Sequence, residues 1–312
     1  MVSYKCRSCG GDMKVISKGM GECIFCTGID SMPTIDSEKF NRAEKLRREQ
    51  QYFDEAADLY RQIIAENPDE EEAYWGLVLC KFGIEYVRDI DEELKPTCHR
   101  TMETSILDDI DYKIACEKAD DEKRRHYQKQ AKKIQKIQSN ILEIVAHQKP
   151  YDIFISFKSK DENGNSTIDC NEARKIYYKL KEQNYTVFFS EETLESGKEY
   201  EPQIYAALKT AKVMILIGSK EEYFEATWVK NEWKRFKRMI EKGEKKIIIP
   251  ICIDMDPYNL PMDLKMYQAI NWRDSEAMLT LNTAVENIVD KKNDVSAINI
   301  DEAYKRYEQE KK

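Results

Sequence analysis

The sequence predicts an α/β protein in which a helix-covered parallel sheet follows a helical region and a small cysteine-rich segment. Three observations predict this order. Two Cys-x-x-Cys pairs stand near the start, no glycine occurs between Gly83 and Gly164, and from residue 150 apolar runs alternate with amphipathic stretches. Pro33 and Pro150 stand where the character of the sequence changes. We therefore divide the chain into four segments, which are residues 1–33, 34–149, 150–290 and a charged tail of residues 291–312.

The composition and charge limit which classes of partner the protein is expected to bind and where in the cell it is expected to work. The 312 residues suit about two domains. The net charge of −8 disfavours nucleic acid as a partner, because phosphate binding needs a basic surface. No apolar run approaches the ~18 residues of a spanning helix, and the first ten residues lack the apolar core of a secretory signal. We expect a cytoplasmic protein with no membrane partner.

The first segment carries four cysteines at metal-ligand spacing, Cys6, Cys9, Cys23 and Cys26. Each Cys-x-x-Cys pair suits a tight turn that aims two thiolates at one point, and two such turns complete a tetrahedral site for Zn²⁺. Disulfides are the alternative, but the reducing cytosol disfavours them. A redox Cys-x-x-Cys is disfavoured because neither pair stands at a strand-to-helix junction. The segment is therefore predicted to be a zinc ribbon in which a structural metal supplies folding free energy.

The second segment is predicted to be entirely helical. Small and aromatic residues at helical spacing flank the breaker Asn67-Pro68, and they resemble one tetratricopeptide repeat. A single repeat cannot bury its own face, so we expect it to pack on the later helices, at 105–119 and 127–146, or on a partner protein. The basic stretch at 120–136 is interpreted as a solvated helix face, rather than as a nucleic-acid patch.

The third segment alternates strands and helices. Predicted strands lie at residues 151–157, 186–189, 213–218, 246–253 and 269–272. Their β-branched runs, separated by amphipathic helices, indicate a parallel sheet covered on both faces. Five strands in about 140 residues suit a flavodoxin-like, doubly wound domain, whose ligands bind beyond the carboxyl ends of the strands.

Several chemistries are excluded in this segment. It contains neither G-x-G-x-x-G nor a P-loop, so dinucleotide-cradle and NTPase functions are unsupported. The chain's histidines, His99, His126 and His147, all precede it, which excludes a Ser-His-Asp or Cys-His site. The third strand ends at Gly218-Ser219 rather than at an aspartate, so a phosphoacceptor receiver domain is also excluded.

The same segment carries five short motifs in a fixed order. They are Phe154-Ile155-Ser156-Phe157, Val187-Phe188-Phe189, Leu194-Glu195-Ser196-Gly197-Lys198, Leu216-Ile217-Gly218-Ser219 and Trp228-Val229-Lys230-Asn231-Glu232. This order resembles a TIR (Toll/interleukin-1 receptor) domain over residues 150–290. The motifs are more similar to the NAD-cleaving TIR proteins of bacterial defence and axon degeneration than to receptor adaptors.

The resemblance implies roles for six residues. Glu232 would be the catalytic carboxylate, with Trp228 on the same helix face as a flat surface beside it. Phe157 and Lys158 would line the nucleotide pocket, where Lys158 would neutralise pyrophosphate. Ser190 and Leu194 would also line this substrate pocket. Both stand in the loop from 190 to 198, which corresponds to the family's BB loop. That loop would also be a lid and a contact between TIR domains.

Three departures from the adaptor pattern bear on this prediction. Ser190 replaces a usual aspartate, no proline precedes Gly197, and Val229 follows the tryptophan. They argue against docking of the kind that receptor adaptors use, and they do not affect the proposed catalytic glutamate, Glu232.

The leading hypothesis is an NAD⁺ glycohydrolase, with ADP-ribose cyclase as an additional activity of the same site. Self-association would control it, together with a protein trigger bound to the ribbon or helical region. Nicotinamide in NAD⁺ is a cationic leaving group that needs no general acid, so one carboxylate can suffice. The alternative is a non-enzymatic TIR–TIR scaffold. A third hypothesis is a glycosyl-transferring enzyme acting on a nucleoside other than NAD⁺.

Overall fold

The computed structural model describes residues 4–17, 19–33, 37–49, 51–88, 94–194 and 200–289. They fall into two compact units, Met1–Gln148 and Lys149–Lys312. The predicted charged tail, residues 291–312, lies outside the described residues. Among the helices that are described, none is both long and apolar enough to cross a membrane.

The first unit begins with a small antiparallel sheet. Its strands, in spatial order, are β1 (Met13–Ser17), β2 (Met20–Cys23) and β3 (Ile29–Ser31). The register pairs Met13 with Cys23 and Met20 with Ser31. The β1–β2 pairing therefore carries Cys23 back towards the turn that contains Cys6 and Cys9.

Helices follow this sheet and pack on one another. They are α1 (Ser37–Glu49), α2 (Phe53–Glu66), α3 (Glu71–Lys81), α4 (Ile110–Lys118) and α5 (Asp121–Ala146). Small residues let α2 and α3 approach closely, since Ala56 and Ala73 are fully buried with Tyr60. The helix predicted from residue 127 starts earlier, because the Asp120 side chain accepts hydrogen bonds from two backbone N–H groups of its first turn.

The region predicted to be all-helical also contains a β-hairpin. Strands β4 (Ile84–Arg88) and β5 (Leu94–Cys98) pair antiparallel, with Ile84 opposite Cys98. Gly83, at φ +60°, stops α3 in a conformation that L residues rarely adopt. The β-branched and aromatic residues that follow then favour extended backbone. The prediction of helix throughout this glycine-poor stretch rests on composition alone, and for the residues of β4 and β5 it is wrong.

The second unit is an α/β domain around a five-stranded parallel sheet, as predicted. The strands are β6 (Ile153–Phe157), β7 (Val187–Phe189), β8 (Val213–Gly218), β9 (Ile247–Cys252) and β10 (Ile270–Asn271). The helices are α6 (Ile168–Glu182), α7 (Ser190–Thr193), α8 (Tyr200–Thr210), α9 (Glu221–Phe224), α10 (Thr227–Glu241) and α11 (Ala277–Glu286). The strand order is β10-β9-β8-β6-β7.

Each face of this sheet has its own core. Ile153, Ile155 and Phe157 of β6 pack with α6 and α11. Phe154 points to the opposite face, where it packs with α8 and α10. Strand order reverses between β6 and β8, which makes the carboxyl ends of these two strands the expected place for a ligand.

Candidate functional site

A buried hydroxyl–carboxyl pair lies at the carboxyl end of β6. Ser156 follows Ile155, so the strand's alternation turns its side chain towards the face covered by α10. Its Oγ donates a hydrogen bond to Oε2 of Glu232 at 2.6 Å. The two residues are 76 positions apart in the chain, and the sheet brings them together.

Glu232 lies on α10 with only 6% of its surface exposed. Burial raises the pKa of its carboxyl from 4.5 to about 8, against the opposing effects of hydrogen bonds from Ser156 and Trp228 and the charge of Arg235. The carboxyl is therefore largely protonated at neutral pH. A cation arriving beside it would favour the ionised form.

Trp228 precedes Glu232 by one helical turn and is 41% exposed. Its ring lies 5.6 Å from that of Tyr200, at the start of α8. Trp233 is instead a core residue, fully buried, and its indole N–H donates to the carbonyl of Phe224. The structure thus places Trp228, and not Trp233, at an open surface beside the carboxyl.

An ion pair missed by the sequence analysis joins α10 to α8. Arg235 donates to Glu201 at 3.0 Å, and its guanidinium lies 5.3 Å from the ring centre of Tyr205. Arg235 follows Glu232 by one turn and lowers the pKa of that carboxyl. Arginine at a helical spacing from a glutamate is common on surfaces, so sequence alone gave no reason to single it out.

Phe157 is separated from Glu232 by the sheet itself. Its ring is buried and stacks on that of Phe189 at 5.2 Å, within the core formed with α6 and α11. Adjacent residues of a strand face opposite ways, so Ser156 and Phe157 cannot both point at α10. The neighbour of Glu232 on β6 is therefore Ser156. A lone hydroxyl in the apolar run Ile-Phe-Ile-Ser-Phe was the signal that could have identified it.

Lys158 lies just beyond the end of β6. Its Nζ is 6.0 Å from the ring centre of Tyr223, which belongs to α9 after β8. Its backbone carbonyl accepts a hydrogen bond from Thr167 at the start of α6. Lys158 thus stands at the reversal of strand order.

The predicted loop from residue 190 begins as the helical turn α7. Ser190 is half-buried, and its carbonyl accepts a bond from the N–H of Leu194. Leu194 packs against the core on the α8 and α10 face, the same face as Glu232. The motif residues 195–198 lie outside the described residues.

A second carboxyl is buried at this end of the sheet. Asp169 stands in the first turn of α6 and is fully buried. Burial raises the pKa of Asp169 to about 6, and Ser219, just after β8, has the largest opposing effect.

The four predicted metal ligands come together in the first unit. The sulfur atoms of Cys6, Cys9, Cys23 and Cys26 all lie within 4.8 Å of one another. The Cys6–Cys26 and Cys9–Cys23 separations are 3.6 and 3.5 Å. The edge of a tetrahedral Zn–thiolate site is about 3.8 Å, so these separations suit a shared metal and are too long for disulfide bonds.

The backbone around these sulfurs also fits thiolates. The N–H groups of Ser8, Gly11 and Phe25 each point at a cysteine sulfur, at 3.4 Å. A Cβ at Gly11 would lie 2.8 Å from Phe25 and 3.0 Å from the sulfur of Cys23, so a side chain there would crowd the site. The residues present therefore fit Zn²⁺ held by four cysteines.

The fold and site of the second unit define an α/β domain with a buried glutamate near the carboxyl ends of its central strands. The family model described as "TIR domain" matches residues 153–284. This segment is therefore a TIR domain. Comparison with curated proteins gave no match.

The solved structures that are similar to this chain include the following three. A TIR-STING receptor from C. gigas is 19% identical, with a TM-score of 0.34; the match covers 45% of this chain and 41% of the receptor's length. The TIR domain of the Toll-related receptor TRR-2 from Hydra magnipapillata is 18% identical, with a TM-score of 0.31, covering 44% and 99%. The TIR domains of the activated Roq1 resistosome are 18% identical, with a TM-score of 0.29, covering 51% and 98%.

Proposed function

We propose that this protein is an NAD⁺ glycohydrolase in which Glu232 is the catalytic residue. The observation that carries the proposal is the burial of its carboxyl at the carboxyl end of β6, where Ser156 donates a hydrogen bond to it. A scaffold does not require this arrangement, because an interaction surface is built from exposed side chains. An exposed, outward-pointing Glu232 would have favoured a scaffold.

The chemistry suits a single carboxylate. The bond between the ribose C1′ and the pyridinium nitrogen breaks, its electron pair neutralises nicotinamide, and C1′ gains oxocarbenium character. An ionised Glu232 stabilises that cation in a site of low dielectric. Water then attacks C1′ and releases a proton, which yields ADP-ribose. If an adenine nitrogen attacks C1′ instead, the product is cyclic, so both outcomes use the same carboxylate.

The positive charge of the substrate would itself prepare the carboxylate. With a pKa of about 8, the free carboxyl is mostly neutral at pH 7. A pyridinium ring next to it lowers this pKa and so favours the ionised, reactive form. Trp228 would provide a flat apolar surface for the ring, and Leu194 lies on the same face of the sheet.

The rest of the substrate would extend along the strand ends. Lys158 would neutralise the pyrophosphate, and Ser190 would contribute a hydroxyl near the loop. Phe157 supports the end of β6 from the other face and makes no contact with the ligand in this proposal.

We propose that the other parts of the chain control this activity in the cytoplasm, in signalling or defence. The four-cysteine ribbon would hold structural Zn²⁺. The helical region, with its TPR-like repeat, would receive a protein trigger. Self-association of TIR domains would then activate the glycohydrolase.

The experiment is an assay of nicotinamide release from NAD⁺ by the full chain, at concentrations where light scattering shows it assembled. We expect release by the wild type and a loss of at least 100-fold in Glu232→Gln, which keeps the size of the side chain and removes its charge. The matched control is Glu241→Gln, an exposed glutamate on the same helix, which should retain full activity. No release by the assembled wild type, or undiminished release by Glu232→Gln, would overturn the proposal.

A further inference from the structure

The side chain between the first two metal ligands is buried in the helical part of the first unit. Arg7 stands between Cys6 and Cys9, yet only 3% of its surface is exposed. Its Nε donates to Oε1 of Glu44 on α1 at 2.9 Å, and its Nη2 donates to the carboxylate of Glu72 on α3. An arginine in a metal-binding turn would ordinarily point to solvent, and this one joins two helices.

The backbone of the same turn is held by α1. Arg48 donates to the carbonyl of Cys6 at 2.8 Å, and Arg47 reaches the carbonyl of Arg7 at 3.4 Å. A Cβ at Gly10 would lie 2.4 Å from the guanidinium of Arg48. The path of the turn, and with it the position of Arg7, is therefore fitted to the helix.

Glu44 and Glu72, whose carboxyl groups accept hydrogen bonds from Arg7, are both buried. Glu44 is 3% exposed and Glu72 is fully buried. Glu44 also accepts bonds from Tyr60 and Arg47, whereas Glu72 has Tyr127 as its other hydrogen-bond donor and Lys123 at 3.9 Å. Removing one partner of a buried ion pair is strongly destabilising, because the other charge stays behind without compensation.

We propose that metal occupancy of the four-cysteine site controls the order of α1, α2 and α3, and that Arg7 transmits it. Bound metal fixes the turn, and the fixed turn keeps Arg7 between Glu44 and Glu72. When the metal leaves, the thiolates no longer hold the turn and Arg7 withdraws. The two carboxylates then lose a charge partner, and the helices loosen. The first unit is on this proposal a metal-responsive regulatory element, independent of what the TIR domain does.

The test is hydrogen exchange measured by mass spectrometry on the full chain, with Zn²⁺ and after chelation, with the metal content determined for each sample. In the wild type we expect one Zn²⁺ per chain, and chelation should speed exchange at least tenfold in α1, α2 and α3. Peptides of the sheet in the second unit should not change and serve as the internal reference. Loosening confined to residues 4–33, or failure to bind Zn²⁺, would overturn the proposal.

Two variants separate transmission by Arg7 from a general loss of stability. Arg7→Met should loosen the same three helices while Zn²⁺ stays bound. In Arg7→Met, Glu44 keeps Arg47 as its partner, and Glu72 loses its close one. Adding Glu72→Gln removes that unpaired carboxylate, so this double variant should regain protection and no longer respond to chelation in the helices. If Arg7→Met does not fold, Glu72→Gln alone should show the weakened response. A full metal response of the helices in the double variant, or in Glu72→Gln alone, would contradict the role of Arg7.

Discussion

Glu232 illustrates how burial changes the behaviour of a single carboxyl. Its pKa is about 8 in the folded protein against an ordinary value of 4.5. Between these values the folded chain holds a proton that the unfolded chain has released. The contribution of Glu232 to the free energy of unfolding is therefore fully present below about pH 4.5. It is lost as the pH rises towards 8.

This proton linkage predicts the pH dependence of stability. From about pH 5.5 to 7.5 the free energy of unfolding of the second unit should fall by about 2–3 kcal/mol because of Glu232. Glu232→Gln should remove that contribution and become the more stable form at the higher pH. Protection factors of slowly exchanging amides in β6 and β8 measure it. Asp169, whose pKa is also raised, contributes equally to both proteins and cancels in the difference. Parallel pH dependences in the two proteins would show that Glu232 ionises normally.

Ser156 should tune the reaction through Glu232. Its hydroxyl donates to the carboxylate and so favours the ionised form, and Ser156→Ala should raise the pKa of Glu232 further. We expect the rise of the rate of nicotinamide release with pH to shift upward by about one unit. The variant should regain most of its activity at high pH. A loss that is equal at every pH would indicate structural damage instead.

The residue scale also shows where sequence reasoning succeeds and fails. The motif Trp-x-x-x-Glu sets Trp228 and Glu232 on one helix face, and the structure places them so. The resemblance implies Phe157 as a pocket residue, whereas the structure puts Ser156 beside Glu232. A motif lists residues in order without showing which face of the sheet each side chain points to. Which face of β6 is covered by α10 depends on contacts between residues far apart in the chain.

At the scale of elements, α2 and α3 pack through a glycine. A Cβ on Gly76 would lie 2.5 Å from the ring of Tyr60. That ring cannot move cheaply, because its hydroxyl donates to the buried Glu44.

Gly76→Ala should therefore destabilise the first unit although alanine favours helix. We expect a net loss of about 1–2 kcal/mol, since overpacking outweighs the gain in helix propensity. Hydrogen exchange in α2 and α3 measures the loss. Gln62→Ala, at an exposed position of α2, is the control and should leave exchange unchanged. Equal exchange in the two variants would mean that the interface yields without cost.

The elements of the second unit were predicted well because most of its strands are short apolar runs flanked by clear breaks. Those of the first unit were predicted less well. The β4–β5 hairpin follows from Gly83 ending α3, and a single glycine inside a glycine-poor stretch was too little to reveal it. Arg7 was passed over for a related reason. Its burial depends on Glu44 and Glu72, which are 37 and 65 positions away.

At the scale of the whole molecule, one chain joins a helical unit that carries a four-cysteine cluster to a TIR domain. If TIR self-association activates the proposed glycohydrolase, nicotinamide release per chain should rise with protein concentration rather than stay constant. Parallel light scattering relates the rate to the assembled fraction. A constant rate per chain while the assembled fraction grows would separate activity from assembly.

The contrast between the tryptophans gives the molecule a built-in optical reporter. All four lie among the described residues; Trp75 and Trp233 are fully enclosed, whereas Trp228 is the most exposed. A dissolved quencher such as iodide will reduce the fluorescence of Trp228 first. A ligand bound beside Glu232 will protect that indole from the quencher. Fluorescence quenching can therefore report whether this site is occupied, without chemical labelling.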